Sequence, residues 1–348
     1  MTRADLTVRG GGIFGLSVAW EAVQRGARVR LIERDRIGAG ASGGLVGALA
    51  PHTPEGWNPV KAFQLESLLR AEGWWRAVED VSGLSAGYAR SGRLQGLTDA
   101  AAVALARMRG KQAETLWQGR ASWQVICATG ADWEPAAPTG LLIHDTLSAR
   151  IQPRQALAAL EAALRAKGVQ ILTGEAEDEG AVIWATGAAG LDALSQDLGR
   201  KAGQGVKGQA VAVHLPGFAD RPQLFIDGLH LVPHADGTVA IGSTTENQWT
   251  DPTGTDTQAD ALLARARALM PLLQDAPETA RWAGLRPRAT SRGPLLGAWP
   301  GRPGHFVANG GFKIGFGVAP EAARLICDLA LLGQDAIPAE FRPLDRLV

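Results

Sequence analysis

The sequence predicts an α/β fold, α+β overall: a nucleotide-binding domain with a parallel sheet, interwoven with an antiparallel-sheet domain that carries the substrate. Three observations predict it. Glycine-rich turns join apolar strands to helical segments near both ends of the chain, at Gly10 to Gly15 and Gly310 to Gly315. An apolar run from Ala181 reaches Ala185 and stops at Thr186-Gly187, as a strand covered on both faces would. Beyond about Lys207 the pattern turns to two-residue alternation, the mark of half-buried antiparallel strands. Nucleotide-type segments thus surround alternating ones, dividing the chain into 1–87, 146–203 and 301–348 against 88–145 and 204–300.

The first element is the strand Leu6-Thr7-Val8, which runs into Gly10-Gly11-Gly12-Ile13-Phe14-Gly15. Gly10 permits the tight turn, Gly12 lets backbone approach a pyrophosphate, and Gly15 lets the next helix pack close to the strand. That helix, Leu16 to Gln24, ends near Gly26, and a second strand, Val29 to Ile32, finishes at Glu33, at about the 20-residue spacing of a ribose-binding acid. A carboxylate there accepts ribose hydroxyls and repels a 2′-phosphate, which favours FAD or NAD over NADP. With 44 glycines in 348 residues the glycine pattern alone is weak, so the strand, helix and terminal acid around it carry the Rossmann-like reading. Arg9 stands where an apolar strand residue is usual, directed to the sheet edge or the cofactor.

A chain of 348 residues exceeds one ordinary core. Its 35 basic and 35 acidic residues cancel, leaving no electrostatic footprint for nucleic acid or an anionic membrane and favouring a small neutral or zwitterionic ligand. The N-terminus leads directly into the first strand with no signal-like segment, and no apolar run approaches the roughly 18 residues of a membrane span, so a cytoplasmic protein is expected. Cys127 and Cys327 lack metal-ligand or redox spacing and read as buried small hydrophobes, with no metal site expected.

A second glycine-rich loop, Ile37 to Ala50, contains Gly40-Ala41-Ser42-Gly43-Gly44, which also matches the G-x-S-x-G elbow of serine hydrolases. An elbow needs an apolar strand just before its serine, whereas Glu33-Arg34-Asp35-Arg36 precedes this glycine run. The loop reads instead as a second phosphate-binding turn, with Ser42 hydrogen-bonding a phosphate. Leu65, Leu68, Leu69, Trp74, Trp75 and Val78 fall at helical spacing over 64–80. A strand at Arg93 to Leu97 and helices at Ala100 to Trp117 and Pro153 to Ala166 follow, then a strand over 168–172. The alternating strands are Gln209 to His214, Leu224 to Ile226, His230 to Val232 and Thr238 to Ile241. A helix over Gln258 to Leu273, the segment Trp282 to Arg288, a strand His305 to Ala308 and a closing helix to about Leu332 complete the chain.

With Glu33-Arg34, Gly40-Ala41-Ser42, Leu49-Ala50-Pro51, Ala185-Thr186-Gly187, Gly208-Gln209, Gly242-Ser243-Thr244, Gly284-Leu285-Arg286-Pro287 and Gly310 to Gly315, nearly the whole chain resembles the D-amino acid oxidase and glycine oxidase family, the glycine oxidase of thiamine biosynthesis included. The resemblance implies an FAD-dependent amine or amino acid oxidase with non-covalent FAD. It assigns Gly10, Gly12, Ile13, Phe14 and Gly15 to the phosphates, Glu33 to the adenosine ribose, Arg34, Ala41 and Ser42 to the pyrophosphate, and Leu49, Ala50 and Pro51 to the flavin. Ala176 would contact adenine through its backbone, and Ala185 and Gly187 would line the site. Gly310, Gly311, Phe312, Lys313, Ile314 and Gly315 would set amides and a helix N-terminus at the flavin pyrimidine, where the reduced ring is anionic. Arg286 would grip the substrate carboxylate bidentately, or else close an interdomain salt bridge.

Lys313 opposes a helix dipole unless an anion lies beside it, or swings to water; His230 accepts an amine proton, hydrogen-bonds substrate, or is merely half-buried. The chain departs from the family in four places. His230 and His234 stand where a tyrosine and an arginine are usual, Gly311 and Lys313 replace a His and an Arg, Tyr88 is the single tyrosine, and only 173–180 separate two strands where relatives insert a meander. The implied chemistry is hydride transfer from the α-carbon of glycine, sarcosine or a D-amino acid to flavin N5, with oxygen as final acceptor. A nicotinamide dehydrogenase would need neither the second glycine loop nor the last. Oxidation of a larger amine, demethylation of a modified tRNA base and a non-catalytic flavoprotein subunit stay open, although neutral charge argues against nucleic acid.

Overall fold

The computed structural model describes residues 3–291 and 293–343; the last five residues of the predicted 301–348 segment lie outside them. It opens with β1 (Leu6–Arg9), α1 (Ile13–Gln24) and β2 (Val29–Glu33). A 3₁₀ turn at Ala41–Gly43 and the short β3 (Ala48–Leu49) precede α2 (Pro59–Ser82), β4 (Arg93–Gly96), α3 (Ala100–Trp117), β5 (Trp123–Cys127), β6 (Leu141–Asp145) and β7 (Ala149–Arg150). The chain returns through α4 (Pro153–Ala166), β8 (Gln170–Thr173), β9 (Ala181–Trp184) and α5 (Gly187–Leu198). Then come β10 (Gly203–His214), β11 (Gln223–Ile226), β12 (Leu229–Pro233), β13 (Thr238–Gly242), α6 (Thr257–Leu269) and β14 (Glu278–Ala289). Last are β15 (Leu295–Ala298), β16 (His305–Asn309) and α7 (Gly315–Leu332).

Two sheets share the molecule. The nucleotide sheet runs β15-β16-β9-β1-β2-β8 and is parallel except at β15. An eight-stranded sheet runs β14-β10-β13-β12-β11-β4-β6-β5, antiparallel except where β11 meets β4. β3 and β7 pair separately. β15, on the 204–300 side of the sequence-based division, is hydrogen-bonded into the nucleotide sheet.

Strand alternation explains the core. Leu6, Val8, Leu31 and Ile183 are buried in the nucleotide layer beneath α1, α4 and α7, while Val211, Val213, Leu231 and Ile241 belong to a second cluster under α6. Trp74 and Trp75 are buried edge to face, ring centres 4.7 Å apart, so the pair is packing. The expected helix to Leu273 stops at Leu269, because Pro271 cannot donate and disfavours helical geometry at Met270; a 3₁₀ turn, Pro271–Leu273, finishes the segment. Cys327 is buried as expected, but Cys127 is exposed, since it ends the sheet-edge strand β5. Among the described residues no helix is long and apolar enough to cross a membrane and no cluster suits a metal ion.

Candidate active site

Helix caps sort the helices into two kinds. α2, α3, α4 and α6 begin at Asn58, Asp99, Gln152 and Asp256, whose side chains accept first-turn N–H groups. α1, α5 and α7 begin at Gly12, Thr186 and Ile314, which provide no side-chain cap. These three follow β1, β9 and β16, neighbours in one parallel sheet, so three positive helix ends open on one sheet edge. Pyrophosphate and the electron-rich edge of a flavin are acceptors of the chemistry that edge demands, and the residues present therefore fit FAD.

Local geometry shows why glycine is required there. Gly10 has φ +110°, and a Cβ on it would lie 2.4 Å from the Ala185 carbonyl oxygen; a Cβ on Gly15 would lie 1.8 Å from that of Gly10. Ser42 Oγ accepts the Ile13 N–H at 2.9 Å, which joins the two glycine loops and leaves its hydroxyl proton to donate elsewhere. Ser42 sits in a 3₁₀ turn with no strand before it, so it forms no nucleophile elbow. Glu33 ends β2 and accepts N–H groups from Gly11 at 2.5 Å and Asp35 at 2.9 Å, which places its carboxylate over the fingerprint turn. Arg34 is exposed beside it. Leu49 is buried, whereas Ala50 and His52 are tethered by Gln64, whose amide donates to the Ala50 carbonyl and accepts the His52 N–H.

The last glycine loop is fastened at both ends. Asn309 accepts the Gly310 N–H and donates to the Gly187 carbonyl, both at 2.8 Å, and Phe312 N–H donates to Pro287 O at 3.0 Å. Phe312 holds φ +41°, an uncommon conformation for a bulky residue and one maintained by these bonds. Through Pro287 the loop meets β14 one residue beyond Arg286.

A row of register partners crosses the large sheet: Trp282, Ala210, Gly242, His230 and Phe225. Its centre is small, and Val46 seats there, since a Cβ on Gly242 would come within 2.4 Å of Val46 Cγ2. Arg286 shares the Trp282 face, its guanidinium 5.7 Å from the indole. It is buried and donates from Nη1 to Thr244 O at 3.1 Å, yet closes no ion pair among the described residues. Burial lowers its pKa to about 10, with Glu246 opposing the shift. Behind it Glu246, Gln209, Lys207, Thr244 and Asp256 form a polar network, with Gln209 Nε2 at 3.1 Å from Glu246 and 2.8 Å from Asp256, and Lys207 Nζ 3.2 Å from Asp256.

Lys313 is exposed, yet the protein around it and the Arg286 charge hold its ammonium below the ordinary lysine range. The His230 ring is pushed down to about 3 by burial and by the charges of Arg93 and Lys313. Gln223 fixes the tautomer. Its Nε2 donates to Ala149 O at 2.8 Å, so Oε1 accepts from His230 Nδ1 at 3.3 Å and Nε2 of the histidine keeps its lone pair. With its pKa held that low the ring is neutral near pH 7, and its Nε2 is a hydrogen-bond acceptor. Arg93 itself is paired with Asp145 at 2.9 Å, both buried. His234 donates from Nε2 to Leu45 O at 3.1 Å, anchoring the second glycine loop to β12.

The family model described as FAD dependent oxidoreductase (DAO) matches residues 5–329. The chain belongs to that family. It is 35% identical over 144 residues to a glycine oxidase of Pseudomonas aeruginosa, a match covering 41% of this chain and 39% of that protein. It is 30% identical over 356 residues to the bifunctional protein ThiO/ThiG of Synechocystis, covering 95% of this chain and 52% of the other. The matches thus span 39% and 52% of the length of these two curated relatives. In fold, the chain is similar to the crystal structure of glycine oxidase from Geobacillus kaustophilus, with a TM-score of 0.80 over 97% of both chains at 23% identity.

The structure brings Lys313 within electrostatic reach of Arg286 and of His230. It sets Ala176 apart from them, in the β8–β9 connection, its carbonyl taken by Arg9. Sequence reasoning missed Arg93, the network behind Arg286, and the closeness of Gly208 to Arg286, whose guanidinium a Cβ at 208 would strike at 1.7 Å. The Gly208-Gln209 motif was a signal for the last two.

Proposed function

We propose that this enzyme oxidises the C–N bond of a small amino acid or secondary amine, with glycine first among glycine, sarcosine and D-amino acids, and with oxygen as electron acceptor. The observation that carries the reading is Arg286: a buried arginine with no ion pair among the described residues, its guanidinium on the Trp282 side of β14 and its charge felt by Lys313. Its planar fork grips a carboxylate at two points and so fixes the α-carbon. The names of the relatives, glycine oxidases among them, support a small substrate.

FAD, when bound, supplies a hydride acceptor that passes its electrons to oxygen, with peroxide as by-product. Hydride loss needs a neutral amine. The positive charges of Arg286 and Lys313 disfavour an ammonium beside them, and the His230 Nε2 lone pair accepts a hydrogen bond from the amine that remains. Lys313 adds positive charge at the opening of α7, where negative charge develops on the cofactor side.

Incubating the FAD-loaded protein in air with glycine, sarcosine, D-alanine and D-proline tests this. Peroxide and a 2-oxo acid or aldehyde should accumulate together for at least one of them. Fully loaded protein that yields neither with any of the four would reject the reading.

A further inference from the structure

β8 and β9 lie on opposite sides of the β1-β2 pair, so the connection from Gly174 to Gly180 must cross both strands. Its sequence is Gly-Glu-Ala-Glu-Asp-Glu-Gly. Among the described residues its backbone closes no internal hydrogen bond; it is held by side chains from the strands it crosses. Thr7 Oγ1 donates to Glu179 O at 2.7 Å and accepts the Glu179 N–H at 2.8 Å. Arg30 meets the Glu179 carboxylate at 2.5 Å. Arg9 does most: Nε pairs with Asp178 at 2.7 Å, Nη2 donates to Ala176 O at 2.8 Å, Nη1 lies 3.8 Å from Glu175, and the guanidinium covers the Trp184 ring at 5.0 Å.

Arg9 is also the last residue of β1, one before Gly10. The connection it holds starts at the ribose acid, where Gly174 N–H donates to Glu33 O at 2.9 Å. In an open parallel sheet the nucleotide lies outside the carboxyl ends of the strands, with the acid of the second strand on the ribose. Gly174 to Ala176 then form the wall just past that ribose, on the β8 side, where the base must lie. We propose that Arg9 is a positioning residue for the adenosine half of FAD: it touches neither cofactor nor substrate, but fixes the Ala176 backbone so that the wall stands ready before binding. An arginine suits this task because one planar fork satisfies a carboxylate and a carbonyl together, which a lysine ammonium on a flexible stem does not.

The test is Arg9→Met in the whole chain, stripped of flavin and titrated with FAD by quenching of flavin fluorescence, and with ADP by calorimetry. Both dissociation constants should rise in parallel, by roughly tenfold to a hundredfold for the loss of charged hydrogen bonds, while kcat at saturating FAD stays within twofold of wild type. Lys313→Met, at the far end of the cofactor, should leave ADP affinity unchanged. An Arg9→Met protein with a lower thermal midpoint but ADP affinity within twofold of wild type would make the residue merely structural and overturn the proposal. So would FAD weakening without ADP weakening. Should Arg9→Met fail to fold, Arg9→Lys and Asp178→Asn carry the same expectations with the same refuting outcomes.

Discussion

Gly208→Ala probes the carboxylate grip without altering a charge. A Cβ at 208 would fall 1.7 Å from Arg286 Nη1, 2.1 Å from Cζ and 2.3 Å from Nη2, against the roughly 3.5–4 Å of ordinary contact. The guanidinium must therefore retreat by more than about 1 Å, and a displacement of that size at a positioning group costs on the order of a hundredfold in rate, about 2.7 kcal/mol. Folding should suffer less. The obstructing atoms are the free end of a long side chain with a single 3.1 Å bond to Thr244 O, so the overpacking penalty belongs at the low end, about 1 kcal/mol. The assay is steady-state kinetics on the best amino acid and on the same amine lacking its carboxylate, beside a thermal melt and a flavin spectrum. Selectivity for the amino acid should collapse with the spectrum unchanged. A kcat/KM within threefold of wild type would refute the placement of the clamp.

Arg286→Lys keeps the charge but loses the planar two-point contact, and should lower kcat/KM by about a hundredfold, mostly through KM, with FAD retained. Glu33→Ala should weaken FAD about tenfold by removing the ribose acceptor, read by flavin release on dilution; unchanged release would contradict the ribose assignment. His230 titrates at about 3 when folded against 6.5 when free, so below pH 6.5 the unfolded chain takes a proton that the folded ring refuses, and stability is lost as pH falls toward 3. His230→Gln should therefore shrink the drop in urea midpoint between pH 7 and pH 4.5, and an equal drop in both proteins would contradict the depressed pKa. Glu246→Ala leaves buried Lys207 with Asp256 as its remaining carboxylate and should destabilise by about 2–3 kcal/mol in urea melts.

Legibility followed sequence distance. The opening βαβ unit could be read because Gly10, Gly15 and Glu33 act within one local stretch, and the bounds expected for α3 and α4 match those observed, where Asp99 caps the first and Gln152 with Pro153 opens the second. Arg286 was legible through its motif, although its burial and lack of an ion pair were not. The role of Gly208 depends on the register of β10 against β14, a pairing no local pattern specifies. The protonation of His230 likewise depends on Arg93 and Lys313, which arrive from separate elements. Arg9 looked discordant because a strand residue is ordinarily judged against an apolar cover; here the cover is the acidic crossing from Gly174 to Gly180, and a cation is what that cover needs. Cys127 misled because free cysteine is usually buried, while an edge strand leaves it in water.

The central claim, that bound FAD takes electrons from a small carboxylate-bearing amine held by Arg286, is met most directly by anaerobic titration of the loaded protein with glycine, sarcosine, D-alanine and D-proline, following the oxidised-flavin band. Bleaching by at least one of them is expected, and none by the same amine in Arg286→Ala. A yellow protein that all four leave oxidised would contradict it.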